Sequence, residues 1–205
     1  IRDRAMQAQI KPHFLYNILD SIKWMILDEK TQESARMLNE LSRFLRLSFG
    51  KGTGIVTMEQ ELECLNAYVK LMQDRYEGAF TYTVDVEADT LNNQIPKFTL
   101  QPLVENALLH GLLHCDKKDK CIMVRSWMDE KAWYIEIEDN GMGMPQEEAD
   151  LILENENDVQ SDNYGIYNIR GRLRIFSENR CHMKVISRPG IGTCVCIEIT
   201  KRKEK

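Results

Sequence analysis

The stretch Trp133-Tyr134-Ile135-Glu136-Ile137-Glu138-Asp139-Asn140-Gly141-Met142-Gly143-Met144 decides the fold. Trp133, Ile135 and Ile137 alternate with polar neighbours, which describes a strand with one buried face. The strand runs into D-x-G-x-G, where glycines let the backbone pass close to a ligand. There the Asp139 carboxylate can accept a hydrogen bond from an amino group such as that of adenine. D-N-G is equally a common turn, so these residues alone leave both readings open.

Working outward, alternation first appears after Gly78, at Tyr82-Thr83-Val84-Asp85-Val86. Further strands are predicted at 121–128, 133–139, 183–187 and 194–199, with helices at 99–113, 146–153 and 165–177 between them. That order implies an α/β sandwich with helices on one face. Upstream the period is helical. Ile10, Phe14, Ile18, Ile22 and Met25 mark one face of a helix over 2–27, and a second helix over 31–49 is stopped by Gly50, Gly52 and Gly54. Thr57 and Gln60, at capping-box spacing, open a third helix running to about Tyr76. The expected division is residues 1–78, helical, and 79–205, the sandwich. The polar stretch 154–163 has almost nothing to bury and reads as a loop or lid.

At 205 residues and 43% hydrophobic content the chain can bury one core with room for a small second module. The net charge is −5 and no segment gathers the basic residues, which excludes nucleic acid as a partner. No apolar run approaches the roughly 20 residues that span a bilayer, and the chain, starting at Ile1, reads as a piece of something longer. Six cysteines without a C-x-x-C pair read as reduced, intracellular thiols filling the core.

Four other strings carry candidate chemistry. Gln9, His13 and Asn17 lie one turn apart on one helix face, with Pro12 bending the chain beside the histidine. In the string 103–111, Asn106 sits within a Leu- and Val-rich helix, where its oxygen could reach a magnesium ion bridging phosphates. Gly165-Ile166-Tyr167-Asn168 opens a helix whose free N–H groups can receive phosphate. Pro189-Gly190-Ile191-Gly192-Thr193 makes a tight turn that places a hydroxyl where it could assist the acid. His110 and His114, one turn apart, could pair on zinc, but no third ligand accompanies them.

Taken together, the chain resembles a sensor histidine kinase of the LytS/YesM-like class. The likeness is carried by Q-I-K-P-H-F-L-Y-N (9–17), L-V-E-N-A-L-L-H-G (103–111), D-N-G-M-G-M (139–144) and G-I-Y-N-I-R-G-R-L (165–173), and runs from about Met6 to Ile199. It implies an α+β fold: a helical dimerisation and phosphoacceptor region followed by a GHKL-type (Bergerat) ATP-binding sandwich. His13 would accept phosphate, Asn106 would hold Mg²⁺, and Asp139 would bind the adenine amino group with support from Thr193. Gly141, Gly143, Gly165 and Gly192 would let the backbone approach ATP, with His110 and Asn168 also at the nucleotide. The implied protein is a homodimer at the cytoplasmic face of the membrane, held there by segments outside this chain, that passes phosphate to a response regulator aspartate.

A neutral imidazole is already nucleophilic and needs tautomer and placement more than activation. Phe14 follows His13 where many histidine kinases have an acid, so no base is supplied locally. Glu105 is the candidate base or orienter, with Gln9 and Asn17 as alternatives. A hydrolytic GHKL ATPase would need an acid one turn before Asn106, where Pro102 stands. Asn163, Tyr164 and Tyr167 depart from the related pattern at the lid.

Overall fold

The computed structural model of the chain describes residues 12–49, 54–154 and 164–202. Gln9, Gly50, Gly52, the opening of the first predicted helix and nearly all of the predicted lid lie outside them. The contacts divide the chain after Lys51, Leu62 and Ala79 into two units.

One unit is helical. α1 (Pro12–Leu27) and α2 (Thr31–Phe49) form a hairpin whose turn contains Glu29 at a φ of 59°. α1 buries Ile18 and Ile22, as the predicted stripe requires. α2 buries Met37, Leu41 and Phe44, while Leu38 stays half exposed. These meet the second half of α3 (Met58–Arg75), where Leu65, Tyr68 and Met72 are buried. Phe14, Phe44 and Tyr68 form an aromatic cluster with ring centroids 5.4 to 6.1 Å apart. Arg36 Nη2 reaches Asp74 Oδ1 at 2.9 Å on the rim.

The other unit is a sandwich. β2 (Thr81–Val86), β4 (Cys121–Met128), β5 (Ala132–Asp139), β6 (Cys181–Arg188) and β7 (Gly192–Thr200) form one sheet in the order β2-β4-β5-β7-β6. Only the β2–β4 pairing is parallel. Strand alternation sorts the faces. Ile122, Val124, Ile135, Ile137, Val185 and Ile197 are buried on one side, whereas Glu136, Glu138, Lys184, Cys194 and Cys196 are partly exposed on the other. Helices therefore cover a single face, and each fully buried Ile or Val there contributes about 1.5–3 kcal/mol. Those helices are α4 (Leu100–Asn106), α5 (Gln146–Glu154) and α6 (Tyr164–Phe176).

Three features differ from the sequence expectation. A small antiparallel ribbon, β1 (Ile55–Thr57) with β3 (Gln94–Pro96), was not predicted, because three residues are too few to show alternation. That ribbon and the buried side chain of Glu61 tie residues 54–62 to the sandwich, so among the described residues the helical unit does not run unbroken to residue 78. Cysteine is also less of a core filler than expected: Cys64 is buried, but the other five are half exposed. The predicted capping box is present, with Gln60 N–H donating to Thr57 Oγ1 at 3.2 Å and Thr57 N–H to Gln60 Oε1 at 3.1 Å. No helix among the described residues is long and apolar enough to cross a membrane.

Candidate functional site

The sandwich encloses a cavity of about 620 Å³ between the sheet and its helices, lined by Asn106, His110, Asp139, Gly143 and Thr193 among others. Its walls are largely apolar, with Leu103, Ile137, Met142 and Val195 contributing. The size and the few convergent polar groups suit a small-molecule ligand.

Asp139 closes β5 with its side chain on the buried face, 6% exposed. Its Oδ1 accepts a hydrogen bond from Gly141 N–H at 2.8 Å. Burial pushes its carboxyl up to about 6, opposed by the N–H groups of Gly141 and Thr193 and by the charge of Lys117. The carboxylate still has lone pairs to offer a donor in the cavity.

Several glycines leave room for this acid and the chain around it. A Cβ on Gly111 would lie 2.7 Å from Asp139 Oδ1, and one on Gly141 would lie 2.4 Å from the Gly111 carbonyl carbon. A Cβ on Gly192 would meet Asp139 O at 1.9 Å, and one on Gly143, at a φ of 60°, would meet Arg188 O at 1.9 Å. Gly141, Gly143 and Gly192 thus leave room for neighbouring chain. Thr193 supports Asp139 through its backbone N–H. Its hydroxyl pairs with Ser187 Oγ at 2.8 Å. Lys117 Nζ donates to the carbonyls of Asn140 at 2.6 Å and Ile191 at 3.0 Å, pinning the two glycine turns together.

Asn106 is the last residue of α4, where the helix widens into a π-helical turn (Ala107–Leu112). Such turns recur at functional sites because the wider ring displaces side chains from their regular positions. Asn106 Nδ2 is buried and without a hydrogen-bond partner among the described residues. A buried amide left unpaired costs about 1–3 kcal/mol, so this group is open to a partner beyond the described residues. Its oxygen, on the same amide, suits a hard cation such as Mg²⁺, which takes oxygen ligands.

The start of α4 is set from a distance. Glu61, 2% exposed, accepts N–H bonds from Phe98 at 3.0 Å, Thr99 at 2.6 Å and Leu100 at 2.9 Å. Burial raises its carboxyl above the usual range, against the pull of these three N–H groups and of Arg172. Arg172 donates to the carbonyls of Lys97 and Phe98 at 2.9 and 2.6 Å. A side chain from α3 therefore caps the helix that carries Asn106, a role the sequence reading missed because it appears only at long range.

Of the remaining predicted residues, Glu105 does not line the cavity, as a helical step of about 100° from Asn106 dictates. Asn168 is exposed and also off the wall, and Gly165 lies in the first turn of α6, whose Ile166 lines the cavity. His13 is exposed on α1, and its Nδ1 is 3.0 Å from Asn17 Nδ2. His114 shares the cavity wall with His110, but no third metal-ligating side chain is grouped with them among the described residues.

Comparison with known proteins finds two family models in series: "Histidine kinase" over residues 2–80, and "Histidine kinase-, DNA gyrase B-, and HSP90-like ATPase" over residues 95–203. Sensor histidine kinase YesM of Bacillus subtilis (strain 168) is 32% identical over 201 residues, covering 98% of this chain and 33% of that protein. Sensor protein LytS of the same organism is 28% identical over 98% of this chain and 34% of its own length. YwpD, an uncharacterised protein of the same organism, is 31% identical over 95% of this chain and 68% of its own length. The chain thus spans about a third of the length of YesM and LytS. Among solved structures, the catalytic domain of histidine kinase ThkA matches 72% of this chain and 97% of its own at a TM-score of 0.51. With 12% identity, that likeness speaks to fold alone.

Proposed function

Because the chain belongs to the histidine kinase family, in its LytS/YesM-like class with a GHKL-type ATP-binding domain, we propose that it binds ATP and transfers the γ-phosphate to His13. The observation that carries this reading is the pairing in one apolar cavity of a buried acceptor, Asp139, with a buried unpaired amide, Asn106. Adenine enters between Leu103, Ile137 and Val195, and its amino group donates to Asp139. Asn106 and His110, which line the same wall, would face the phosphates. Asn106 would hold Mg²⁺, which when bound neutralises phosphate charge.

The nucleophile is a ring nitrogen of neutral His13. With the Asn17 amide turned so that its oxygen accepts from a protonated Nδ1, the Nε2 lone pair is free to form the N–P bond as the bond to the β-phosphate oxygen breaks. ADP leaves as an anion, and the ring keeps its Nδ1 proton, so no base is required at the moment of transfer. The phosphoramidate so formed is then the donor to an aspartate on a response regulator. The chain works as a homodimer, a reading supported by exposed apolar residues on its first helix: Leu19, Trp24, Ile26 and Leu27. It acts at the cytoplasmic face of the membrane as the signalling end of a longer sensor, as its share of YesM and LytS suggests.

Incubation with γ-labelled ATP and Mg²⁺ tests this, with His13→Gln and Asn106→Asp as controls. Acid-labile label on the protein, lost in both variants, is expected. Steady phosphate release untouched by His13→Gln would make the chain an ATPase instead.

A further inference from the structure

The open face of the sheet carries a second cluster of chemistry-bearing side chains. Alternation along β7 sends Val195 and Ile197 into the core and Cys194 and Cys196 to the opposite face. On β5 the same rule places Glu136 there, directly across from Cys196 in the register. The two sulfurs are 3.5 Å apart, and Cys196 Sγ is 3.6 Å from Glu136 Oε1. All three ligating atoms lie within 4.8 Å of one another, and all three residues are half-buried.

The S···S spacing and the Cys196–Glu136 S···O spacing are close to edges of a coordination tetrahedron. Tetrahedral zinc bound about 2.3 Å from sulfur and about 2.1 Å from a carboxylate oxygen requires an S···S edge of about 3.8 Å and an S···O edge of about 3.6 Å. We propose that Glu136, Cys194 and Cys196 form a binding site for a zinc-class divalent metal ion, with solvent completing the fourth position.

The surrounding charges are compatible. Arg125 Nη2 holds Glu136 through Oε2 at 3.2 Å and Glu138 through Oε2 at 2.5 Å, which leaves Glu136 Oε1, the oxygen beside Cys196, to the ion. Thiolates select soft ions and oxygen ligands select hard ones, so this site and the Mg²⁺ expected at Asn106 do not compete for the same cation. A disulfide is the other fate of two close thiols, but the strand opposes it. Side chains at i and i+2 leave an extended chain in parallel, holding their Cβ atoms roughly 6–7 Å apart, whereas a disulfide needs about 3.5–4.5 Å.

The test is titration of the full chain, reduced and stripped of metal, with Co²⁺ and then Zn²⁺. Thiolate-to-cobalt charge-transfer absorption saturating at one ion per chain, and displaced by Zn²⁺, is expected. Cys194→Ser and Cys196→Ser should each abolish the band and weaken Zn²⁺ binding at least about tenfold, and Glu136→Gln should weaken it while leaving the protein folded by circular dichroism. Cys115→Ser and Cys181→Ser, at half-exposed thiols elsewhere, should leave it intact. The proposal is overturned by absence of the band, by its survival in either Cys194→Ser or Cys196→Ser, or by a Cys194–Cys196 disulfide as the product of mild oxidation with equimolar Zn²⁺ present.

Discussion

Asn17 Nδ2 lies 3.0 Å from His13 Nδ1, one turn further along α1. The amide can serve either tautomer, presenting nitrogen to a bare Nδ1 or, turned over, oxygen to a protonated one. The second arrangement frees Nε2 for attack. Asn17→Ala should therefore slow autophosphorylation about fivefold, the worth of a hydrogen bond of about 1 kcal/mol, without changing nucleotide affinity. The ¹⁵N shifts of the His13 ring should show the Nδ1–H population falling in parallel.

Asp139 links pH to both stability and binding. Its folded-state value of about 6 lies above its ordinary 3.8, so between those values the folded protein holds a proton that the unfolded chain releases. Its contribution to stability therefore grows as pH falls from about 6 toward 3.8, and at neutral pH its charge is a cost. Asp139→Asn should stabilise the nucleotide-free protein at pH 7.5 by something on the order of 1 kcal/mol, seen as a higher melting temperature, and the gain should shrink as pH falls below about 6 and vanish below about 3.8. Nucleotide affinity should move the other way, falling more than about tenfold in the variant. In the parent protein affinity should fall as pH drops through about 6. Calorimetry and nucleotide titration at three pH values read both effects.

Glu61 should be costly to replace by an amide. Glu61→Gln would turn an NH₂ group toward N–H donors at the start of α4, destabilising the sandwich by about 2 kcal/mol. Hydrogen exchange at the Thr99 and Leu100 amides should accelerate first, and nucleotide affinity should fall with it because α4 carries Asn106. Denaturant unfolding of Glu59→Gln, an exposed neighbour on the same helix, supplies the control.

Gly143→Ala would set a methyl 1.9 Å from the Arg188 carbonyl at a backbone angle that side chains avoid. We expect loss of about 2 kcal/mol or more and loss of nucleotide binding, since the turn it breaks abuts Asp139. Gly171→Ala, on the open side of α6 with no atom within 4 Å of the new Cβ, should be neutral or stabilising. Thermal unfolding of the two variants side by side makes the comparison.

Local order was legible from the residues. The capping box at Thr57 and Gln60, the helix over Thr31–Phe49, the strand over Cys121–Met128 and the acid at the end of β5 all follow from period and capping chemistry, which act between residues a few positions apart. The polar residues that the family resemblance marked, Asn106, His110, Asp139 and Thr193, share the cavity wall. What only the tertiary structure decided is long in sequence and short in space. Glu61 reaches Leu100 across 39 positions, Lys117 reaches Ile191 across 74, and Glu136 meets Cys196 across 60. The glycines show the same division: their positions were plain, but only packing reveals that the missing Cβ atoms make room for Asp139 and its neighbouring carbonyls. Sequence patterns report the surface a segment must bury, whereas hydrogen bonds and metal-sized gaps depend on which segments the fold brings within about 4 Å.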